Sequence, residues 1–282
     1  MNFSEVGSVS DNNNSYVVVL GNEKGGTGKS TAAMHVITSL LRQGYSVGSI
    51  DVDARQGTLS RYVENRRLRA EANPEEHLPL PEHYPVFRSE KPVVQEAQAE
   101  DEANLKLAIE KLKFCDYIVI DTPGSDMYLS RLAHSYADTL ITPLNDSFID
   151  LDMLARLNPE TLEIVRPSTY SEMVWEQKKN RAIRDRRPID WIVLRNRLSS
   201  VNSRNKEEMR KALENLSKRI GFRLVAGFGE RVIFRELFLN GITLLDLREA
   251  RIAMSLSHVA ARQELNQLLE LIQIPKQKKK VA

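Results

Sequence analysis

Cysteine is nearly absent from this chain: Cys115 is the only one among 282 residues. A single thiol excludes an internal disulfide and a metal cluster held by several cysteines, and we expect Cys115 to lie in the core. The five histidines are far apart in the sequence and lack the spacing of metal ligands. A metal centre built from cysteine or histidine is therefore not expected.

Long apolar runs are missing as well. The sequence has no stretch of eighteen consecutive apolar residues, which argues against a membrane-spanning helix. The N-terminal residues MNFSEVGSVSDNNNS have no basic start and no apolar centre, so they do not fit a signal peptide. We expect residues 1–15 to form a disordered tail and the protein to be cytoplasmic.

Charge is balanced overall but unevenly distributed. The net charge is +2, with 40 Lys and Arg against 38 Asp and Glu. Residues 178–223 contain fifteen Lys or Arg and five Asp or Glu, a local net charge of +10, and four more lysines follow Pro275, which leaves −12 on the rest of the chain. This asymmetry favours a polyanionic partner. A helix face that is simply solvated is the alternative.

Short apolar runs alternate with helical patterns along the chain. The runs predicted to be strands are Tyr16–Leu20 and residues 45–52, 116–121, 139–142 and 190–194. Helices are predicted over residues 30–43 and, at the end of the chain, about residues 255–274. Uninterrupted apolar strands separated by helices are typical of a mostly parallel sheet with helices on both faces. The sequence therefore predicts an α/β fold.

The same patterns predict one domain over residues 16–274, followed by a basic tail at residues 275–282. Residues 54–115 hold five of the eleven prolines among charged helical pieces. We interpret this part as an insertion beside the second strand, with its proline-rich portion at about residues 73–92. Residues 171–188 form a basic excursion before the fifth strand.

A glycine-rich turn, GNEKGGTGKST at residues 21–31, joins the first strand to the first helix. Glycines there let backbone N–H groups approach a phosphate closely. We expect Lys29 to reach the β- and γ-phosphates of a nucleotide, Ser30 to place its hydroxyl on Mg²⁺, and Thr31 to bind the α-phosphate. The expected nucleotide-binding residues of the loop are Lys24, Gly25, Gly26, Thr27, Gly28, Lys29, Ser30 and Thr31.

This loop departs from the pattern G-x-x-x-x-G-K-S/T, because Glu23 occupies the first glycine position and Lys24 precedes the paired glycines. In both respects it resembles the deviant phosphate loop of the ParA/MinD family of P-loop ATPases. The resemblance implies that Lys24 reaches across a dimer interface to the partner's nucleotide, while Lys29 acts within its own subunit. A surface lysine that merely attracts nucleotide is the alternative for Lys24.

Three carboxylates follow predicted strands: Asp51 and Asp53 come at the end of the second, and Asp121 ends the third. Ligands gather at the carboxyl ends of parallel strands. We therefore expect Asp121 to hold the Mg²⁺ shell through water, and Asp51 to support the metal and its waters. For any one of these acids, a helix cap is the alternative.

The family resemblance adds roles for further residues. It implies that Asp53 positions the attacking water, as a catalytic residue alongside Lys24 and Lys29. Thr122, Pro123 and Gly124 resemble the second switch loop, which senses the γ-phosphate. Asn196 lies where family members read adenine with an amide side chain, and a plain turn asparagine is the alternative.

The similarity extends from residue 21 to about residue 247. The segments DVDARQGTLSRYVENRR, IDTPG, TPLNDSFIDLDML, RNRL and GFRLVAGFGERVIFRELFLNGITLLDL together resemble the MipZ-like branch of the family, whose members regulate division-site placement. The resemblance implies an ATP-dependent dimer that binds DNA without sequence preference, interacts with ParB and inhibits FtsZ polymerisation. It also implies association with the nucleoid and enrichment toward the cell poles.

Basic residues after the fifth strand agree with binding to double-stranded DNA. The side chains expected to contact it are Arg195, Arg197, Arg204, Lys206, Arg210, Lys211, Lys218, Arg219 and Arg223. Such a patch binds phosphates without sequence preference, and the scarcity of aromatic residues among them argues against stacking on single-stranded bases.

Other activities remain open on the same fold. A membrane-bound MinD-like ATPase needs a C-terminal amphipathic helix with a basic side, but Glu264 and Glu270 lie in the last helix and its lysines follow Pro275. We therefore expect this helix to pack on the domain. A ParA-like DNA-partitioning ATPase is a further alternative. A phosphotransferase or ligase would need an acceptor pocket, for which no residues are identified.

Overall fold

Parallel strands form the central sheet of the computed structural model, which describes residues 15–52, 54–145, 147–158, 163–196, 204–227, 229 and 233–276. The strands are β1 (Tyr16–Leu20), β2 (Val47–Asp51), β3 (Glu82–Pro85), β4 (Tyr117–Asp121), β5 (Thr139–Asn145), β6 (Ala155–Leu157), β7 (Ile164–Pro167), β8 (Asp190–Asn196) and β9 (Arg223–Ala226). Seven of them form one parallel sheet in the order β3-β2-β4-β1-β5-β8-β9, while β6 and β7 form an antiparallel pair.

Helices cover both faces of this sheet. They are α1 (Lys29–Arg42), α2 (Thr58–Ala72), α3 (Val94–Lys111), α4 (Tyr128–Ser135), α5 (Phe148–Leu151), α6 (Thr169–Asp185), α7 (Arg204–Leu216), α8 (Ile233–Leu239) and α9 (Leu256–Ile272). Successive residues of β1 alternate between two apolar clusters, because strand side chains point to opposite faces. One cluster includes residues of α3, α4, α6 and α7, and the other includes residues of α1, α2, α8 and α9.

This architecture confirms the predicted α/β fold and most of its core. β1 has the predicted bounds, and Cys115 is buried. The last helix, α9, packs on the domain as expected, with Leu265, Leu268 and Ile272 buried. Among the described residues, no helix is both long and apolar enough to cross a bilayer.

The sheet's two edge strands were not predicted. β3 lies within the segment interpreted as a proline-rich insertion, yet it pairs in parallel with β2. β9 pairs with β8 at the other edge. Both strands are four residues long and only partly buried, so neither has the continuous apolar run of a central strand.

The basic excursion at residues 171–188 is mostly helix α6. Ser168 caps its first turn by accepting a hydrogen bond from the Ser171 backbone N–H. Arg181 on this helix is buried and ion-paired with Asp138. Part of the local positive charge therefore stabilises the fold. The tails at residues 1–14 and 277–282 lie outside the described residues, and the disorder expected of the N-terminal one stays a prediction.

Candidate functional site

The glycine-rich loop leads from the carboxyl end of β1 to the start of α1. Gly26 and Gly28 have φ angles of 72° and 91°, a region that favours glycine. A Cβ added at Gly25 or Gly26 would meet no other atom within 4 Å. The loop thus presents an open side at the N-terminus of a helix, where backbone N–H groups and the helix dipole favour an anion.

The two lysines of this loop have different surroundings. The Lys29 side chain is buried and its Nζ donates a hydrogen bond to the Lys24 carbonyl oxygen at 2.9 Å. The Lys24 side chain is 37% exposed, and its Nζ lies 2.9 Å from Asp150 Oδ1. Asn22 Oδ1 accepts from the Lys24 backbone N–H at 2.7 Å. The Lys24 backbone is therefore held inside the loop while its side chain reaches the surface.

Two side-chain amides, one from the loop and one from β8, tie the loop to the neighbouring strands β5 and β8. Asn22 Nδ2 donates to the Pro143 carbonyl oxygen at 2.5 Å, and Asn196 Nδ2 donates to the Thr27 carbonyl oxygen at 2.8 Å. A Cβ at Gly28 would collide with Asn196 Nδ2. Asn196 therefore packs against the loop and holds its backbone at Thr27. Adenine reading by this residue stays a prediction.

A buried pair behind the loop was missed by sequence reasoning. The Tyr170 hydroxyl donates to the Gly21 carbonyl oxygen at 2.9 Å and lies 3.3 Å from His134 Nε2. A Cβ at Gly21 would collide with the His134 ring. Burial, helped by the charge of Lys29, lowers the pKa of His134 to about 4. Because these residues are far apart in the sequence, no local pattern predicts their contact.

The described acids lie side by side at the carboxyl edge of the sheet. Asp51 of β2 and Asp121 of β4 are register partners, and both are buried. Asp51 Oδ2 accepts hydrogen bonds from the Ser60 backbone N–H at 2.9 Å and from Ser60 Oγ at 3.0 Å. Asp51 thus caps the first turn of α2, the alternative that the sequence left open. Asp53 lies outside the described residues.

The segment after β4 packs against the glycine-rich loop. Thr122 donates to the Leu20 carbonyl oxygen from its backbone N–H at 3.1 Å and from Oγ1 at 2.8 Å. A Cβ added at Gly124 would lie 2.6 Å from the Gly25 backbone nitrogen. The predicted switch residues Thr122, Pro123 and Gly124 therefore meet the predicted phosphate loop directly.

Two buried polar atoms of the loop make no hydrogen bond within the described part of the chain. They are Thr27 Oγ1 and Glu23 Oε1. Burial, together with the charge of Asp126, raises the pKa of Glu23. An unsatisfied buried hydroxyl beside an open row of glycines fits a loop that receives an external hydrogen-bonding group.

Among the basic residues expected to bind DNA, the ones that the structure describes are not all exposed. Arg195 is only 8% exposed, a correction to its predicted place on the surface, because β8 extends through Asn196 inside the sheet. Arg223 forms a 2.6 Å ion pair with Asp190 and donates to the Leu271 and Ile272 carbonyl oxygens.

The remaining basic residues differ in their surroundings. Arg210 pairs with Glu214, one turn along α7. Lys211, Lys218 and Arg219 are exposed. Arg197 and the side chains of Arg204 and Lys206 lie outside the described residues. Among the described residues, the exposed part of the patch therefore lies in the second half of α7 and in the helical turn that follows.

The parallel sheet, the glycine-rich loop between β1 and α1, and the acids at the ends of the neighbouring strands define a P-loop NTPase. The description of the family whose model matches residues 16–276 is ATPase MipZ. The chain therefore belongs to the MipZ family of ATPases and is an ATP-hydrolysing enzyme. A comparison with curated protein sequences gives no match.

Solved structures with the same fold belong to ParA/MinD-type proteins. Apo McdA from Cyanothece is similar at 19% identity and a TM-score of 0.59, over 91% of this chain and 99% of that one. A putative plasmid partition protein from Borrelia burgdorferi bound to AMPPNP shows 17% identity and a TM-score of 0.58, over 91% and 98%. The septum site-determining protein MinD from Pyrococcus horikoshii with Mg-ADP shows 17% and 0.54, over 92% and 95%. At these identities the likeness shows the fold.

Proposed function

We propose that this ATPase is a nucleotide-driven switch in division-site placement. With ATP it dimerises, binds DNA without sequence preference, interacts with ParB and inhibits FtsZ polymerisation. Hydrolysis returns the dimer to monomers. The observation that carries this proposal is the contrast between Lys29, buried inside the loop, and Lys24, whose side chain extends from a fixed backbone to the surface.

The position of Lys24 suits an interaction with a second subunit. Its Nζ is paired with Asp150 at 2.9 Å, and this ion pair is partly exposed to solvent. The Lys24 end of this pair is exposed, whereas Asp150 is nearly buried and also accepts a hydrogen bond from the Asn145 backbone N–H. The Lys24 ammonium group can therefore exchange Asp150 for an ATP phosphate of a second copy while Asp150 keeps a hydrogen-bond donor. This exchange would tie dimerisation to the bound nucleotide.

ATP and Mg²⁺ fit the residues around the loop. The open side at Gly25 and Gly26, the unsatisfied Thr27 hydroxyl and the Lys29 ammonium group suit a chain of phosphates. Ser30 would hold Mg²⁺ directly and Asp121 through water, with Asp51 supporting the site. When bound, the ion offsets phosphate charge. The AMPPNP and Mg-ADP complexes of structurally similar proteins support this assignment.

For hydrolysis we assign the positioning of the attacking water to Asp53, and γ-phosphate sensing to the segment from Thr122 to Gly124. The contact between Gly124 and the loop at Gly25 supports the second assignment, because a shift in one segment must displace the other. If this contact opened when the bound nucleotide changes, the conformation of the protein surface would differ between the ATP-bound and ADP-bound states.

DNA binding is assigned to the exposed cations in the second half of α7 and in the helical turn that follows. Lys211, Lys218 and Arg219 are the described members of this group. Dimerisation would place two such groups on one particle, and binding at two linked sites raises the overall affinity. Nucleoid association and enrichment toward the poles would follow from binding to DNA and ParB.

The test combines oligomeric state with DNA binding. Size-exclusion chromatography with ADP, ATP and a slowly hydrolysed ATP analogue is expected to show a dimer only with ATP or its analogue. DNA affinity should require the same nucleotides and should decrease with salt, with a slope of roughly −0.9 in log–log form for each phosphate contact. A monomer under all three conditions would contradict the switch.

A set of charge variants tests the assigned DNA surface. Lys211→Ala, Lys218→Ala and Arg219→Ala should each lower the steepness of the salt dependence by about one, because each removes a cation that neutralises a DNA phosphate. ATP hydrolysis should not change. Lys106→Ala and Lys113→Ala on and after α3 are matched controls that also remove an exposed cation. An equal effect in both sets would indicate a general charge effect instead of a DNA surface.

A further inference from the structure

A chain of hydrogen bonds connects the edge strand β3 with the acid at the end of β2. His83 of β3 is the register partner of Ser49 on β2, and its Nδ1 lies 2.9 Å from Ser49 Oγ. On its other side, His83 Nε2 lies 2.9 Å from Ser60 Oγ of helix α2. Ser60 Oγ in turn lies 3.0 Å from Asp51 Oδ2. Four side chains on three elements therefore form one connected row.

The row has a defined direction, because the Ser60 hydroxyl has a single proton to donate. Asp51 Oδ2 and His83 Nε2 both lie within hydrogen-bond distance of it. An ionised carboxylate is the stronger acceptor, so the proton points to Asp51 and His83 Nε2 must carry its own hydrogen. His83 Nδ1 is then an acceptor, which the Ser49 hydroxyl satisfies. Burial lowers the pKa of His83, against the opposing charge of Asp51, and this favours the neutral ring that the arrangement requires.

We infer that His83 is a positioning residue for ATP hydrolysis, whose Nε2–H directs the Ser60 hydroxyl proton onto Asp51 and so holds the Asp51 carboxylate beside Asp121. The opposite tautomer would take the Ser60 proton for itself. Asp51 would then lose the hydrogen bond from the Ser60 hydroxyl while keeping the one from the Ser60 backbone N–H, and its carboxylate would be held less firmly.

This inference rests on the proposed role of Asp51 in supporting the metal and its waters. Groups that orient a ligand from behind typically change activity by about 10-fold to 100-fold when they are removed. Phosphate binding by the glycine-rich loop does not involve His83, since no hydrogen bond described for His83 reaches that loop. The loss should therefore appear in kcat with little change in KM for ATP.

Two substitutions separate positioning from simple packing. The Gln side chain can place an N–H near the position of Nε2, so His83→Gln should keep kcat within about twofold of the wild type. The shorter Asn side chain can satisfy only Ser49, so His83→Asn should lower kcat by about tenfold. Ser60→Ala should lower kcat by a similar factor. Adding His83→Asn to Ser60→Ala should have no further effect, because both changes remove the same connection.

His77→Asn is the matched control, since it makes the same substitution at an exposed histidine with a φ of 46°, a conformation that Asn tolerates. Its kcat should equal that of the wild type. Equal losses in His83→Gln and His83→Asn, or additive losses in the double variant, would overturn the inference. Unchanged turnover in His83→Asn or in Asp51→Asn would do the same.

The tautomer of His83 can also be measured directly in the wild-type protein, so this test does not depend on whether a variant folds. Nitrogen-15 NMR of the histidine-labelled wild-type protein should show His83 protonated at Nε2 and unprotonated at Nδ1. A ring protonated at Nδ1 would refute the proposed direction.

Dimerisation and DNA binding are measured on the same samples. An active ATPase that stays monomeric would contradict the proposed switch while leaving the comparison of His83 variants interpretable.

Discussion

Lys24 and Lys29 lie in the same loop, but the structure gives their ammonium groups different environments. Lys29 Nζ lies inside the loop and donates a hydrogen bond to the Lys24 carbonyl oxygen. Lys24 Nζ lies near the surface and forms an ion pair with Asp150. Substitution should therefore separate nucleotide binding from dimerisation. A switch in which Lys29 binds the nucleotide and Lys24 acts in the dimer requires this separation.

We predict that Lys29→Ala lowers ATP affinity by at least about tenfold, because the loss of one charged hydrogen bond costs about 1.5–3 kcal/mol. Lys24→Ala should still bind ATP as a monomer, yet fail to dimerise and to hydrolyse it. Fluorescent-nucleotide titration and size-exclusion chromatography check both outcomes, with Lys91→Ala as a control at an exposed lysine. If both loop variants lose ATP binding equally, Lys24 acts within its own subunit.

At the scale of elements, the glycine-rich loop and the segment after β4 form one contact. A Cβ at Gly124 would lie 2.6 Å from the Gly25 backbone nitrogen, whereas a Cβ at Gly25 would meet no other atom within 4 Å. The two glycines are therefore required for different reasons. Gly124 is required by the fold of the protein itself, and Gly25 by the approach of the nucleotide.

We predict that Gly124→Ala lowers the melting temperature of the protein without nucleotide, because the loops must separate to make room. A cost of about 1–3 kcal/mol is typical of overpacking. Gly25→Ala should leave that temperature unchanged but abolish the increase that ATP causes. Differential scanning fluorimetry with and without nucleotide measures both quantities. The idea fails if Gly124→Ala is neutral, or if Gly25→Ala keeps the full increase.

Across the whole molecule, the two buried histidines His35 and His134 link stability to pH. Burial lowers the pKa of each to about 4, and both rings are bonded to carbonyl oxygens within their own helices. The unfolded chain binds protons at these sites near the ordinary histidine pKa of about 6.5. Stability is therefore fully present above that pH and decreases as the pH falls toward 4.

We predict a loss of about 1.4 kcal/mol per pH unit for each of the two histidines between pH 6 and pH 4. Urea unfolding at a series of pH values measures it. His35→Gln and His134→Gln should each reduce the slope by about 1.4 kcal/mol per pH unit, even where they lower stability overall. Neither substitution would change the slope if these rings were protonated in the folded protein. Asp246 stabilises the fold throughout this range, because Arg66 and Arg42 outweigh its burial and lower its pKa to about 2, and this contribution is lost only as the pH falls below about 4.

Much of the fold and of the phosphate loop could be predicted from sequence, because the relevant signals are local. The apolar run of β1, the glycines at residues 25–28 and the amphipathic pattern of α1 adjoin one another in the chain. The acids Asp51 and Asp121 follow buried strands directly, and parallel strands bring such ends together. Local pattern and topology were sufficient for these features, and they also carried the resemblance that the family match confirms.

The tertiary structure alone decided which distant residues support that loop and those acids. Tyr170 reaches Gly21 across 149 positions of sequence, and His83 reaches Asp51 through a serine on another element. The edge strand β3 has little apolar character of its own, and β2 is what makes it a strand. Arg195 has the same charge in sequence as an exposed arginine, but the extension of β8 buries it. These features depend on which surfaces meet after folding, a property that no short segment of the chain contains.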